Sequence, residues 1–441
     1  MTIATPPLEV RLLTDCAQPR RRTKMQKEGQ HFVSRTFVHL RAFSTVGHPE
    51  LMKNHINFFG RINFRTDRRV FGIKQADRRA HMYMIGKTGT GKSTLLETLV
   101  RQDIMAGRGF ALLDPHGDLA EKVRAAIPEE RRNDLIDFYV PDTGLGFNPL
   151  ARVPSEKRPL VAAGLLEVFR KIWADSWGPR LEHIFRNCLL TLLDQPDATL
   201  ADVLRLFNNS AFRSHAITHI KNGRVRDFWL REYAKYPARF QVEAIAPIQN
   251  KVGAFITDPK LQRILTQPRS SFDLREVMDE GKILIVNLSK GRIGEDASAL
   301  LGALLVAMIA FAGQSRADLP LEDRRDFYLY LDEFHTFTTE GLAGMLAELR
   351  KYHVNLILAH QYLTQLELPV RDAILGNVGT TIAFRLGLPD AEILAKEFAP
   401  EFSAHDLMTL PNHHLYLKLM VDNVVSKPFS AESLRPSDIP A

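Results

Sequence analysis

The sequence predicts an α/β fold: a mainly parallel central sheet covered by helices, with an all-α region inserted into it. Three observations carry that expectation. Short apolar runs alternate with amphipathic helical patterns from His81 to Val140, as in parallel strands joined by covering helices. From about Pro154 to Phe272 strand runs stop, and apolar residues recur three and four apart, as in Leu165, Leu166, Phe169 and Trp173, then Ile184, Leu189, Leu192 and Leu193. Strand runs resume at Lys282. A chain of 441 residues, 45% hydrophobic and 25% charged, has an ordinary globular composition and room for roughly two or three domains. Wholesale disorder and fibrous structure are excluded.

Residues 1–56 form a basic arm expected to be poorly ordered, because periodicity is weak there. Of 58 basic and 51 acidic residues, 16 and 6 fall within residues 1–80, leaving 42 and 45 for the rest. Arg20-Arg21-Arg22, Lys24 and Lys27 suit contact with phosphates or an anionic membrane surface, or a merely solvated arm. Thr5-Pro6-Pro7 interrupts any secretory apolar segment. One or two short strands are expected between Asn57 and Lys74. The run His81–Ile85 then meets a glycine-rich turn and the helical pattern Lys92–Met105, which Gly107 and Gly109 close. Phe110–Leu113 reads as a strand, Leu119–Ala126 as a helix and Leu135–Val140 as a strand. The all-α insertion is placed at 154–272, dividing the α/β domain into 57–153 and 273–430. Its second part holds strands Lys282–Leu288, Phe327–Leu331, Val354–Ala359 and Thr380–Phe384. Leu415–Val421 and Val424–Phe429 follow about a turn at Asp422-Asn423, and 431–441 is a tail.

The longest apolar stretch, Ala297–Gly313, has 17 residues. As a helix it spans about 25 Å, short of the roughly 30 Å hydrocarbon core, and Glu295 and Asp296 ahead of it suit a helix start in water. It reads as a buried core helix, and the chain as soluble with no integral span. Cys16 and Cys188 lack metal-ligand spacing and read as free thiols of a reducing compartment.

Gly86-Lys87-Thr88-Gly89-Thr90-Gly91-Lys92-Ser93 matches G-x-x-x-x-G-K-[ST] between a strand and a helix. Small residues let backbone N–H groups wrap phosphates, and the helix N-terminus adds positive potential. Lys92 is expected to reach the β/γ-phosphates and the Ser93 hydroxyl to ligate Mg²⁺; Gly86 to Thr94 make up the expected ATP-binding segment. Hydrolysis needs an acidic site at another strand tip, and Phe327–Leu331 followed by Asp332-Glu333 supplies one. Asp332 is expected to hold Mg²⁺ through its water shell and Glu333 to be the general base; the plainer reading is a strand-end turn.

The strand Asn355–Ala359 ends at His360-Gln361. Gln361 is expected to sense the γ-phosphate or the lytic water, and His360 to pack in a turn. A helix from Glu340 to Tyr352, capped by Thr338 or Thr339, carries the stripe Leu342, Met345, Leu346 and Leu349. Its last turn holds Arg350 and Lys351, which either complement the helix dipole or bring a cation to a neighbouring subunit's γ-phosphate. Arg385 is the other candidate for that arginine finger.

Lys92 and Asp332 are too far apart in sequence for one βαβ unit, and the helical insertion accounts for the distance. Here the chain resembles the coupling ATPases of conjugative type IV secretion (the TraD/TraG-like proteins), within the FtsK/HerA group of RecA-like P-loop motors. The resemblance rests on Arg78-Arg79-Ala80-His81-Met82-Tyr83-Met84-Ile85-Gly86, Leu113-Asp114-Pro115-His116-Gly117-Asp118, Phe147-Asn148-Pro149-Leu150 and Ser176-Trp177-Gly178-Pro179-Arg180-Leu181-Glu182. Asn287-Leu288-Ser289-Lys290-Gly291, Leu331-Asp332-Glu333-Phe334 and Ala359-His360-Gln361 extend it over roughly residues 57–430. It implies a RecA-like core, ATP and Mg²⁺ as cofactors, and a hexameric ring that moves DNA through a central pore by sequence-independent backbone contacts. The insertion, about Ser155–Phe272, would lie on the ring face that receives substrate. Family members usually begin with transmembrane helices, and the basic arm stands where these would be. The expected location is therefore cytoplasmic, peripheral to the inner membrane through relaxosome or secretion-channel partners.

Asp114 and Asp118 read as caps of the following helix, with a place near the nucleotide as the alternative for Asp114. Trp177 and Trp229 read as core of the helical part, and Asn148 as a turn residue. Three functions are weighed: an ATP-driven DNA translocase of the coupling type; a soluble HerA-like motor for DNA-end processing or defence, or a secretion ATPase remodelling protein; and a basic nucleic-acid-binding protein whose P-loop is only a switch.

Overall fold

The computed structural model describes residues 56–64 and 66–439. The basic arm, apart from its last position, and Cys16 lie outside them. Thirteen strands are present among the described residues: β1 (Ile56–Ile62), β2 (Val70–Lys74), β3 (Met82–Ile85), β4 (Gly109–Asp114), β5 (Leu135–Tyr139), β6 (Ile283–Asn287), β7 (Phe327–Leu331), β8 (Val354–His360), β9 (Thr380–Ala383), β10 (His414–Lys418), β11 (Met420–Val421), β12 (Val424–Val425) and β13 (Phe429–Ser433). Eleven form one sheet in the order β2-β1-β13-β10-β9-β3-β8-β7-β4-β6-β5. From β9 to β5 every pairing is parallel, and from β9 to β2 every pairing is antiparallel. The expected mainly parallel α/β sheet is therefore present.

Every residue of β3, β4, β6, β7 and β8 is buried. Helices cover both faces of these strands, which is why they read as unbroken apolar runs. The antiparallel wing alternates instead, as in the half-buried, buried rhythm of β2 and β10. Here the structure departs from the hairpin expected between Leu415–Val421 and Val424–Phe429. Asp422 and Asn423 do turn with left-handed φ values of 51° and 63°, but they join only the two-residue strands β11 and β12. The backbone breaks at Leu419, whose N–H and C=O are taken by Ser426, and the main partner of β10 is β13. The tail expected from 431 thus begins inside a sheet strand.

Between β5 and β6 all regular elements are helical, led by Arg158–Ile172, Pro179–Leu193 and Ala238–Thr257. Phe169, Trp173, Phe185, Cys188, Leu189 and Trp229 are buried among them, and Cys188 is a free thiol. Trp177, expected in this core, is only half-buried and donates its indole N–H to Glu182 at 3.0 Å. The helix Glu295–Ser315 is the one described helix long and apolar enough to cross a membrane, and most of it is packed inside the protein. It lies against Arg158–Ile172 so closely that a Cβ on Gly164 would come within 2.5 Å of Phe311. One continuous apolar core results, shared by the insertion and the sheet.

Asn148 is a turn residue, its Oδ1 accepting from the Leu150 N–H, but it is also a clamp. Its buried amide donates to the carbonyls of Ala198 and Pro268 at 2.8 and 2.9 Å, tying the segment after β5 to a loop in the middle of the helical stretch and to its end. The helix Gly341–Glu348 continues as a tight turn, Leu349–Tyr352. Neither threonine caps it. Glu340 occupies the cap position without a side-chain bond, and the Thr338 hydroxyl donates to the Phe334 carbonyl at 2.6 Å.

Candidate nucleotide site

β3 ends in the P-loop. Gly89 and Gly91 take φ values of 76° and 120°, a region that a Cβ penalises, and the resulting loop closes over the start of the helix Lys92–Met105. The Thr90 hydroxyl braces it by donating to the Lys87 carbonyl at 2.7 Å. The helix has no acidic residue in its first turn, so its N-terminal field is available to an anion. Lys92 is buried and donates to the carbonyls of Gly86 at 2.6 Å and Lys87 at 3.3 Å. Burial lowers its pKa, and the charges of Glu333 and Asp332 oppose that shift. Ser93 is exposed, and its hydroxyl donates to Asp332 Oδ2 at 3.3 Å.

The strand order brings the distant residues together. β8 lies between β3 and β7, and β4 lies beyond β7. The carboxyl-terminal tips of four neighbouring strands therefore present the P-loop, Gln361, Asp332-Glu333 and Asp114 to one crevice. Asp332 is buried, which together with the charges of Asp114 and Glu333 raises its pKa to about 7 against the pull of Lys92. Asp114 accepts N–H bonds from His116, Leu119 and Ala120 at 2.8–2.9 Å. It thus caps the helix Asp118–Ala125 and also lends its charge to Asp332; Asp118 is merely that helix's first residue, after Gly117.

Glu333 is buried in a left-handed conformation, φ 45° and ψ 48°. Its Oε1 accepts from Gln361 Nε2 at 2.7 Å, and Gln361 Oε1 accepts from the Thr88 hydroxyl at 2.8 Å. Gln361 therefore links the P-loop tip to the carboxylate. Glu333 Oε2 is buried without a hydrogen bond and stands 3.5 Å from His335 Nδ1. His360 belongs to the strand rather than to a turn. Its ring packs on Phe334, its Nδ1 lies 3.3 Å from the Tyr83 hydroxyl, and burial takes its pKa down to about 3.

The two arginine candidates part company. The Arg385 carbonyl accepts the Lys87 N–H at 2.9 Å, which steadies the P-loop entrance. Its guanidinium turns away to the Leu410 carbonyl and Asn412 Oδ1. Arg350 is exposed and lies beside His81, at the amino-terminal edge of the sheet. That edge is opposite the chain's own P-loop. Five residues carry no signal in the sequence: beside Thr94 is a cavity of about 490 Å³ lined also by Arg101, His413, Arg435, Pro436 and Ser437. His413 donates its N–H to the Thr90 carbonyl, and its ring abuts Gly91. The segment comes from the far end of the chain, and no sequence spacing announces it.

A family model described as the central domain of the helicase HerA matches residues 76–309, more than half of the chain. The chain belongs to this HerA family. The match spans the P-loop and the helical insertion and stops before β7, so the place of Asp332 and Glu333 in this HerA-family chain rests on the geometry above. No curated protein matches the sequence. Among solved structures, the unbound bacterial conjugative coupling protein TrwBΔN70 is similar with a TM-score of 0.58 and 14% identity, covering 82% of this chain and 86% of that one. TrwB in complex with ADP and Mg²⁺ gives 0.59 and 14%, over 89% and 97%. VirB4 of Thermoanaerobacter pseudethanolicus gives 0.59 and 13%, over 89% and 98%. At these identities the likeness is one of fold: the RecA-like P-loop architecture is shared.

The donor set fits a magnesium-bound nucleoside triphosphate. Ser93 and Asp332 offer the hard oxygen ligands that Mg²⁺ prefers, the P-loop offers backbone N–H groups, and Glu333 Oε2 is a buried acceptor still lacking a partner.

Proposed function

We propose that this chain is an ATP-hydrolysing motor that moves DNA, working as a ring of identical subunits. The observation that carries this reading is the meeting of Lys92, Ser93, Asp332, Glu333 and Gln361 at adjacent strand tips. Bound Mg²⁺–ATP supplies the phosphoanhydride and the charge that polarises it. Lys92, already at the loop, turns its ammonium from the Gly86 and Lys87 carbonyls to the β/γ-phosphate oxygens. Ser93 and Asp332 would hold the magnesium. Glu333 orients the attacking water and takes its proton on the carboxylate. Gln361 exchanges its bond to Thr88 or Glu333 for the γ-phosphate and so reports its presence. The cavity beside Thr94 takes the ribose and base.

DNA as cargo is supported by membership of a helicase family and by the fold shared with a protein described as a conjugative coupling protein. Contacts would be to the backbone and insensitive to sequence. Relaxosome or secretion-channel proteins are the partners this reading implies, at the cytoplasmic side of the inner membrane. The test is ATP turnover by the assembled protein with and without added duplex and single-stranded DNA. Turnover should rise with DNA and the rise should fade with salt; indifference to both forms sinks the cargo assignment. Glu333→Gln should keep ATP binding while turnover drops by about 10²-fold or more, and an unchanged rate would refute the assigned base.

A further inference from the structure

The helix Arg158–Ile172 of the insertion carries Glu167, Arg170 and Lys171, three and four residues apart and so on one face. All three grip a single segment, the turn between β7 and the helix Gly341–Glu348. Lys171 Nζ donates to the carbonyls of His335 at 2.7 Å and Thr336 at 3.0 Å. Arg170 pairs with Glu340. Glu167 packs against Gly341, where a Cβ would come within 2.4 Å of its Oε2.

The gripped turn begins two residues after Glu333. The Thr336 N–H bonds back to the Glu333 carbonyl at 3.0 Å, and Phe334 is buried against Tyr83 and His360. Glu333 itself sits in the left-handed region, which is unfavourable for a residue with a Cβ and persists only where its surroundings enforce it. The carbonyls that Lys171 holds belong to the turn that enforces it. Burial brings the Lys171 pKa down to about 8, and the charge of Glu367, beyond Gln361, draws it back up. The ammonium is thus largely removed from water, and two backbone carbonyls stand in for its hydration.

We propose that Lys171 is a positioning residue for the hydrolytic carboxylate: through it the helical insertion holds the turn that keeps Glu333 left-handed and bonded to Gln361, so the seating of the insertion sets the rate of hydrolysis. This rests on the hydrolytic role proposed for Glu333. A shift of the insertion loosens Glu333 without touching the P-loop, and turnover changes while nucleotide affinity does not.

The experiment compares Lys171→Met, which keeps the length of the stem and loses the donors, with Lys171→Arg, which keeps donors for both carbonyls. In the full chain, Lys171→Met should lower kcat by about 10- to 100-fold, the scale of a reacting group displaced by an ångström. KM for ATP and the affinity for a non-hydrolysable ATP analogue should stay within about twofold, because the phosphate-binding loop is untouched, and Lys171→Arg should recover most of the rate. A wild-type kcat in Lys171→Met overturns the proposal. So does a loss of analogue affinity in step with kcat, or a Lys171→Arg enzyme as slow as Lys171→Met.

The exposed Arg170–Glu340 pair gives a second measurement that does not depend on Lys171 variants folding. Arg170→Glu should slow turnover, and adding Glu340→Arg should restore it; absence of coupling counts against the grip. Glu333→Gln measured alongside separates the two readings. Full-rate Glu333→Gln defeats the hydrolytic assignment itself, whereas an inactive Glu333→Gln beside a full-rate Lys171→Met defeats only the role of Lys171.

Discussion

His81, the residue at which the chain enters β3, shows how one side chain ties the fold to pH. Its Nδ1 accepts the Leu356 N–H at 3.0 Å and its Nε2 faces the Leu346 carbonyl at 3.0 Å, so the neutral ring with its proton on Nε2 satisfies both partners. Protonating Nδ1 would break the first bond. Burial, aided by the positive charge of Arg350, takes the pKa from the ordinary 6.5 to about 4. Between those values the unfolded chain takes up a proton that the native chain refuses. This contribution is therefore complete above pH 6.5 and is lost as the pH falls towards 4, at about 1.4 kcal/mol per unit and up to about 3 kcal/mol in all. In urea denaturation the stability gap between wild type and His81→Leu should narrow steadily from pH 7 to 4; a constant gap means that the buried ring titrates as an exposed one does. The same residue-scale logic explains which site residues could be read from sequence. Lys92, Ser93, Asp332 and Glu333 were legible because phosphate and magnesium chemistry requires those groups at a strand tip or loop. Gln361 was legible because it stands just past the apolar run Leu356–Ala359.

At the scale of elements, the P-loop helix is anchored by a buried ionic cluster. Asp103, in its last turn, accepts from both terminal nitrogens of Arg78 at 2.7 and 2.8 Å, from Arg108 at 2.9 Å, from Asn57 at 3.1 Å and from the Tyr330 hydroxyl at 2.5 Å. These partners come from β1, β7 and the segments flanking the helix, and Arg78 also lies 3.7 Å over the Tyr328 ring. Removing one member strands the other charge in the interior, which costs about 3–5 kcal/mol. Asp103→Ala should therefore lose stability on that scale in chemical denaturation, and a loss below about 1 kcal/mol, the size of an exposed pair, would show the cluster to be inessential. Nothing in the sequence identified this anchor. In the sequence Arg78 reads only as context for the P-loop and Tyr328 and Tyr330 only as part of an apolar strand, because ion pairing between residues so far apart leaves no periodic trace. The central strands were legible because burial on both faces imposes an unbroken apolar run, as in Phe327–Leu331. The last wing was misjudged because β10 and β13 alternate and the chain between them bends at Leu419, so hydrophobicity alone placed the pairing at the turn. The cap expected of Thr338 or Thr339 is absent for a related reason: the Thr338 hydroxyl finds a nearer carbonyl, that of Phe334.

At the scale of the whole molecule, chain direction in a parallel sheet decides what one subunit can do alone. A helix that returns from the tip of β7 to the start of β8 must end at the sheet's opposite edge, so Arg350 in its last turn could never reach the chain's own P-loop. That conclusion was available from the βαβ order alone. Arg385 stands beside the P-loop, yet its guanidinium is engaged by Leu410 and Asn412. A ring closes through heterologous contacts, in which one surface of a subunit meets a different surface of the next, and such a contact can bring an exposed edge arginine to a neighbour's γ-phosphate. If Arg350 acts there, its loss disables the neighbour's site while leaving its own P-loop intact, and Lys92→Ala does the reverse. Each variant alone should lose at least about 10³-fold in turnover, the scale of an arginine finger. Mixing the two before assembly should recover activity, because some interfaces then join an intact P-loop to an intact Arg350. The recovered rate should follow the mixing ratio and vanish when either variant is in large excess. A mixture no faster than its parts would remove Arg350 from catalysis and assign it to the helix end, where its charge merely complements the carbonyls of the last turn.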